Sequence, residues 1–180
     1  MLRLNEYWKN IMNYGALLGI PLSFLSFCGL TGYFSYFDFM TIPCFIIGLY
    51  YTTRIFRDKF FNGFMSYGKS LKIGTQISLF ASIIVGFVVY LIFTLHPELK
   101  EQTFKLIEDG LLKNGFKEDT VETFSAMIRQ NSSPIQFALS SVFSFTFYGF
   151  IFMVILSFFI KKEGDPLQTA TKDIHELNNL

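Results

Sequence analysis

The side chains able to do acid–base, nucleophilic or metal chemistry are few in this chain, and their spacing does not assemble a reaction centre. The two histidines, His96 and His175, stand far apart in the sequence. Two pairs of carboxylates lie in one stretch that is rich in charges of both signs, namely Glu98 with Glu101 and Glu118 with Glu122. Solvated helix faces explain these carboxylates better than catalysis does, since a catalytic pair needs surroundings that shift its pKa values.

Sequence motifs for common chemistries are also missing. There is no glycine-rich phosphate loop, no HExxH metal motif and no GxSxG nucleophile motif. Cys28 and Cys44 both fall in apolar stretches, where cysteine behaves as a small hydrophobic residue. A disulfide between them would need their Cα atoms within about 6 Å of each other. We therefore expect no enzymatic activity, no cofactor and no metal site.

Composition indicates a membrane protein. The chain of 180 residues is 51% hydrophobic and only 16% charged, which is less charge than a water-soluble domain needs on its surface. A formal net charge of +1 gives no reason to expect a nucleic acid as partner. The partner that composition predicts is the lipid bilayer.

Four long apolar stretches are the elements that must position every other group. They cover residues 13–33, 39–55, 74–95 and 135–160. A helix needs about 20 mostly apolar residues to cross the hydrocarbon core of a bilayer, and the shortest stretch, the second, has Arg54 near its end. The first stretch resembles a signal peptide, but its apolar run exceeds the usual length of about 7–15 residues. We expect an all-α integral membrane protein with four transmembrane helices in a single membrane domain, 1–180.

Basic residues near the ends of these stretches predict the topology, because cytoplasmic segments carry the excess of lysine and arginine. They lie in the N-terminal segment, in the loop after the second stretch and at the start of the tail 161–180: Arg3 and Lys9; Arg57, Lys59, Lys69 and Lys72; Lys161 and Lys162. Both termini should then be cytoplasmic, with the loop 96–134 on the outer side.

Small residues recur at four-residue spacing on two of the stretches: Gly15, Gly19 and Ser23 on the first, and Gly74, Ser78, Ser82 and Gly86 on the third. Such stripes let helix backbones approach closely, and they predict helix-packing faces. The partner could be another helix of this chain or a second copy. Gly86→Leu should therefore destabilise the bundle, whereas Val85→Leu should be mild.

The loop 56–72 on the inner side alternates aromatic and basic residues. With Arg54 at the preceding helix end, its cations are candidates for contacts with lipid headgroups: Arg54, Arg57, Lys59, Lys69 and Lys72. Phe60, Phe61 and Phe64 could lie in the acyl boundary beside them. The alternative is an ordinary basic loop whose aromatic residues pack under the bundle or in the interfacial belt.

The outer loop 96–134 reads as a helical hairpin. Helical spacing of apolar residues marks two helices, about 98–112 and 119–130, separated by Gly115, with Asp119 as the expected N-cap of the second. Loops longer than about 15 residues are usually functional or disordered. The hairpin either recognises a partner or only connects two spans.

One segment carries a family resemblance. Residues 61–74 read FNGFMSYGKSLKIG and fit the pattern G-x-[IM]-S-[FY]-G-x-[AS]-[LF]-x-x-G. This resembles an uncharacterised bacterial membrane family, domain of unknown function 4199. The resemblance implies four spans, an outer helical insertion before the fourth span and a location in the bacterial inner membrane. It implies no activity, and it supplies no functional residues.

These observations favour a non-catalytic scaffold or accessory protein that acts through its outer helical loop or its basic inner loop. The alternative is an oligomeric small-solute transporter or channel, which requires a stable oligomer with a wet cavity lined by serine and threonine. A second copy of the chain or another membrane protein is the expected protein partner.

Overall fold

The computed structural model describes residues 4–30 and 36–162, so Arg3, His175 and most of the predicted tail lie outside the described part. Six helices follow one another: α1 Leu4–Leu30, α2 Tyr36–Phe60, α3 Tyr67–Leu95, α4 Pro97–Lys113, α5 Glu118–Asn131 and α6 Pro134–Ile160. The described ranges contain no strand beyond a single isolated bridge. The prediction of an all-helical fold is confirmed.

Within the described ranges, three helices are long and apolar enough to cross a membrane: Asn5–Gly29 within α1, and the whole of α3 and α6. Their length and composition are consistent with a membrane protein. Helix α2 is 25 residues long but does not belong to this group. It differs from the other three because charged residues crowd its last two turns: Arg54, Arg57, Asp58 and Lys59.

Helix α3 is the centre of the bundle, and α1 and α6 pack against its two sides. Contacts with α1 run in the same order along both helices, so α1 and α3 are parallel. Contacts with α6 run in the opposite order, so α3 and α6 are antiparallel. Helix α2 fills the side between α1 and α6. Ile77, Ala81 and Val85 of α3 have no exposed surface and form the middle of the core.

Several hydroxyl groups in the long helices bond to a carbonyl of their own helix. Ser23 donates to the carbonyl of Gly19 at 2.8 Å, and Thr75 donates to that of Leu71 at 2.8 Å. Thr52 makes the same kind of bond, to Gly48 at 2.7 Å. Such bonds remove the cost of a polar group in an apolar environment without needing water or a ligand.

Several helix ends differ from the predicted ones. The inner loop is shorter than 56–72, because α2 continues to Phe60 and α3 begins at Tyr67. Lys117, and not Asp119, occupies the N-cap position of α5, without a side-chain cap bond. The capping box lies instead at α6, where Ser133 and Gln136 satisfy each other's backbone N–H groups ahead of Pro134. This box fixes where the last helix begins.

Candidate functional site

The small-residue stripe of α3 faces α6 along most of its length. Gly74 leaves room for the side chain of Met153, whose terminal atoms occupy the space that a Cβ would take. At Gly86 a Cβ would lie 2.5 Å from Cγ2 of Val142 and 3.0 Å from the carbonyl oxygen of Ala138. These distances are shorter than van der Waals contact, so a larger residue would force the two backbones apart.

Two hydrogen bonds join the same faces. Ser78 donates to the carbonyl of Phe145 on α6 at 3.1 Å. Ser82 lies 2.8 Å from the hydroxyl of Thr146, with either group able to donate. Such bonds between helices add about 0.6 kcal/mol each on average in a membrane, so they set the register of α3 and α6 more than they add stability.

The stripe of α1 faces α3. A Cβ at Gly15 would lie 2.5 Å from Cβ of Phe80, and one at Gly19 would lie 3.0 Å from the backbone of Ala81. Ser23 is buried but bonds within its own helix. Because these faces are covered by helices of the same chain, the described stripes offer no surface to a second copy.

Two features of this packing were not anticipated from the sequence. The side chain of Ser78 packs against the backbone of Gly149 on α6, where a Cβ would also lie 3.3 Å from the ring of Phe45. Gly149 stands alone among bulky residues, and only the antiparallel register with α3 would have indicated its role. Val85 is fully buried, so the expected mildness of Val85→Leu does not hold. An added methylene there overpacks the core at a cost of about 1–3 kcal/mol.

At the end of the bundle predicted to be cytoplasmic, the short loop 61–66 is hydrogen-bonded to the end of α6. Met65 and Lys162 exchange two backbone hydrogen bonds, of 2.9 and 3.0 Å. Arg57 Nη1 donates to the carbonyl of Ile160 at 2.7 Å, and the hydroxyl of Tyr67 donates to that of Val154 at 3.0 Å. These bonds hold the C-terminal end of α6 against the loop that joins α2 and α3.

The five cations predicted to contact lipid headgroups differ in the contacts that they make within the protein. Arg57 and Arg54 share Asp58, at 2.7 Å and 3.9 Å. Lys69 lies 5.5 Å over the ring of Phe61 in a cation–π contact. Lys59 and Lys72 are exposed and make no ion pair with any residue that the structure describes. These last two are the cations of the five that have neither an ion pair nor a ring contact among the described residues.

The aromatic residues at this end of the bundle differ in how deeply they are buried. Phe60 and Phe61 are half-buried against Phe56 of the core, with ring centroids 4.7 and 6.2 Å from its ring. Phe64 is 40% exposed and carries Lys162 above its ring at 5.6 Å. Phe60 and Phe61 thus pack under the bundle, whereas Phe64 is partly exposed.

At the base of the hairpin formed by α4 and α5, charged side chains surround one buried ring. Phe104 of α4 is 2% exposed and lies 5.9 Å from the ring of Phe137 on α6. Arg129 of α5 stacks 5.6 Å over Phe104 and reaches two carboxylates of α4, Glu101 at 3.4 Å and Glu108 at 3.0 Å. This cluster fixes α5 against α4 and fixes the pair to the bundle.

The tip of the hairpin has the opposite character. A cavity of about 230 Å³ opens between α4 and α5, with an almost wholly apolar lining: Leu111, Phe116, Thr120, Val121 and Phe124. Gly115 turns the chain there with a φ of +84°, which glycine adopts without strain. Phe116 and Phe124 are 53% and 47% exposed. We call this surface the tip groove.

The groups first considered for chemistry do not come together. Among the residues that the structure describes, no three of histidine, cysteine, aspartate and glutamate lie close enough to hold a metal ion. Cys28 and Cys44 form no disulfide with each other. Glu98 lies 2.9 Å from the ring of His96. The pKa of Glu98 is lowered, first by a hydrogen bond from its own backbone N–H and then by the His96 ring.

Comparison with known proteins agrees with the sequence motif. No curated protein and no solved structure matches the chain. A family model described as a protein of unknown function, DUF4199, matches residues 10–162. This range includes the motif at 61–74, the outer hairpin and all of α6, and on that match the chain belongs to the DUF4199 family.

Proposed function

We propose that this protein is a non-catalytic accessory protein of the bacterial inner membrane that binds another membrane protein through the tip groove. The observation that carries the proposal is the contrast within the hairpin. Its base is closed by ion pairs around Phe104, while its tip leaves two phenylalanines about half exposed. Exposed apolar patches of this kind mark sites of interaction.

The proposal includes a fourth span, α2, and cytoplasmic termini. Because α1 and α3 are parallel, the chain must return across the membrane between them. A helix of 25 residues is about 37 Å long, enough for a core of about 30 Å. Arg54 lies near the end of α2 and its side chain is half exposed, so it can extend to the headgroups. The excess of basic residues at this end supports a cytoplasmic position for it.

Charge favours a protein over the membrane surface as the occupant of the tip groove. The segment 97–134 has seven acidic and five basic residues, so an anionic lipid surface would repel it. Near the tip, Asp109, Glu118, Asp119 and Glu122 outnumber Lys113 and Lys117. The partner segment should therefore have an apolar face with basic residues beside it.

The transporter alternative receives less support. A solute pathway through spans needs polar groups that are free to face water. In the described helices several hydroxyls bond to their own helix, and the Ser82 and Thr146 hydroxyls bond to each other between α3 and α6. The small-residue faces are also occupied within one chain, which leaves less surface for the oligomer that a pathway would require.

Site-specific photocrosslinking in the native membrane tests the docking proposal. Benzoylphenylalanine at Phe116 or Phe124 should give one adduct, whose crosslinked segment is apolar with basic flanks when identified by mass spectrometry. The same probe at Gln102, an exposed position on α4 outside the tip groove, is the matched control. Adducts only with lipid or with a second copy, or equal adducts at Gln102, would refute the proposal.

Reporter fusions test the topology separately. Fusions after Lys69 and after Leu180 should report a cytoplasmic location, and a fusion after Gly115 should report the outer side. A cytoplasmic signal from the Gly115 fusion would contradict the assignment of the hairpin.

A further inference from the structure

A groove runs along the outer surface of the bundle between α3 and α6, near the start of α3. Its volume is about 360 Å³, and these residues line it: Gly68, Leu71, Lys72, Thr75, Gln76, Leu79, Thr146 and Phe150. The same face of α3 continues with exposed Ile83 and Phe87, so in a membrane the groove opens toward the hydrocarbon. Its occupant must be apolar over most of its length.

Two polar groups stand at one end of this groove. Lys72 is exposed and has no carboxylate partner among the described residues. Gln76 lies one turn deeper, and its Oε1 accepts a hydrogen bond of 2.5 Å from the hydroxyl of Tyr7. Its Nε2 group makes no hydrogen bond to any residue that the structure describes. An ammonium and an amide N–H pair are thus available to acceptor oxygens.

The other polar groups of the lining are already occupied. Thr75 donates to the carbonyl of Leu71 at 2.8 Å, and Thr146 pairs with Ser82 at 2.8 Å. The two lining residues with donors that are not already bonded are therefore both at the end near Lys72, while the end near Leu79 and Phe150 is apolar. This distribution matches a molecule with an anionic head and a hydrocarbon tail.

The spacing of the two donors fits the depth of a phospholipid headgroup. Four residues along α3 place Gln76 about 6 Å deeper than Lys72. The polar region of one leaflet is about 5–7 Å thick, from the difference between the whole bilayer and its hydrocarbon core. A phosphate at Lys72 would therefore put the ester oxygens of the same lipid at the level of Gln76.

We propose that this groove binds one anionic phospholipid. Its phosphate pairs with Lys72, an ester oxygen accepts from Nε2 of Gln76, and an acyl chain lies along Leu79 and Phe150. A lipid with net negative charge is favoured over a zwitterionic one because the cation of a zwitterionic headgroup would repel the unpaired Lys72. Gly68 keeps the mouth open, since nothing lies within 4 Å of its Cβ position.

Native mass spectrometry of the whole protein in detergent, with added phosphatidylglycerol or phosphatidylcholine, tests this proposal. The wild type should retain one phosphatidylglycerol in preference to phosphatidylcholine. Lys72→Gln should weaken phosphatidylglycerol binding about fivefold, the effect of one cation near an anionic lipid. Lys59→Gln removes an exposed, unpaired charge at the same end but outside the groove, and should leave binding unchanged.

A steric variant tests the groove itself. Gly68→Leu places a side chain in the open mouth and should weaken the binding of phosphatidylglycerol, with the melting temperature in detergent showing that the fold is intact. Equal binding of both lipids by the wild type would overturn the proposal. So would equal losses in Lys72→Gln and Lys59→Gln, or unchanged binding in a folded Gly68→Leu. The groove lies at the other end of the bundle from the tip groove, so neither result depends on protein docking.

Discussion

The sharpest stability prediction concerns Gly19, where α1 meets α3. A Cβ at this position would lie 3.0 Å from both Cα and the carbonyl oxygen of Ala81, and 3.2 Å from Cβ of Ile84. These neighbours belong to the backbone or to its first side-chain carbon, so no rotamer change can move them away. Gly19→Ala therefore requires α1 and α3 to separate by several tenths of an ångström.

The magnitude follows from two opposing effects. Overpacking of a close interface costs about 1–3 kcal/mol, and each dispersion contact along it weakens as the two helices separate. Replacing a helical glycine by alanine returns up to about 1 kcal/mol of helix propensity. Gly68→Ala is the matched control, since it makes the same chemical change in a helix with nothing within 4 Å of the new Cβ.

The assay is reversible unfolding in mixed detergent micelles, followed by helical circular dichroism. We expect Gly19→Ala to be less stable than Gly68→Ala by about 1–3 kcal/mol, because only the position of Gly19 is overpacked by the new Cβ. A Gly19→Ala protein as stable as Gly68→Ala would show that α1 does not pack closely on α3, and would refute the interface described above.

Three further predictions concern the two ends of the bundle. Arg57→Gln should destabilise the protein by about 1–3 kcal/mol, because it removes a charged hydrogen bond to the end of α6. Arg54→Gln, at a half-exposed ion pair, should cost less than about 1 kcal/mol. Equal effects of the two variants on unfolding in detergent would contradict a stabilising role for the bond between Arg57 and α6. Tryptophan at Phe64 should be quenched by lipids that carry quenchers at interfacial depth, and tryptophan at Phe61 should be quenched less; the reverse order would place Phe61 outside the bundle. Because the pKa of Glu98 is lowered in the folded protein, the ionised carboxylate should stabilise the fold above the unfolded pKa, and this stabilisation should be lost as the pH falls through the folded pKa. Glu98→Gln should remove this part of the pH dependence of unfolding. An unchanged pH profile in Glu98→Gln would contradict the prediction.

The inner end shows why charge counting alone could not assign its residues. The sequence presents five cations between Arg54 and Lys72 as equivalent candidates for lipid contact. Folding uses Arg57 to bond the end of α6 and places Lys69 over Phe61, which leaves Lys72 beside an apolar groove. The assignment of Arg57 depends on a contact with a residue 103 positions away, which no local pattern contains.

The outer hairpin was largely predictable, because its signals are local. Helical spacing of apolar residues indicated two helices, and Gly115 indicated the turn between them, where the structure has a positive φ. The N-cap of α5 was predicted two residues too late, since Lys117 holds the position with backbone geometry alone. The apolar tip and the ionic base could not be separated from the sequence, because both helices alternate the same residue types.

The sequence by itself determined the class of this protein and most of its helices. Long apolar runs leave a chain few alternatives to helices with internally paired backbones, and the motif at 61–74 identified the family. Tertiary structure alone decided which faces meet. Periodicity places Gly74 and Ser78 on one side of α3, but it does not say that α6 covers them, or that Val85 is buried by other helices. The reason is physical: a residue pattern defines a face relative to its own helix axis, while burial depends on the helices that pack against that face.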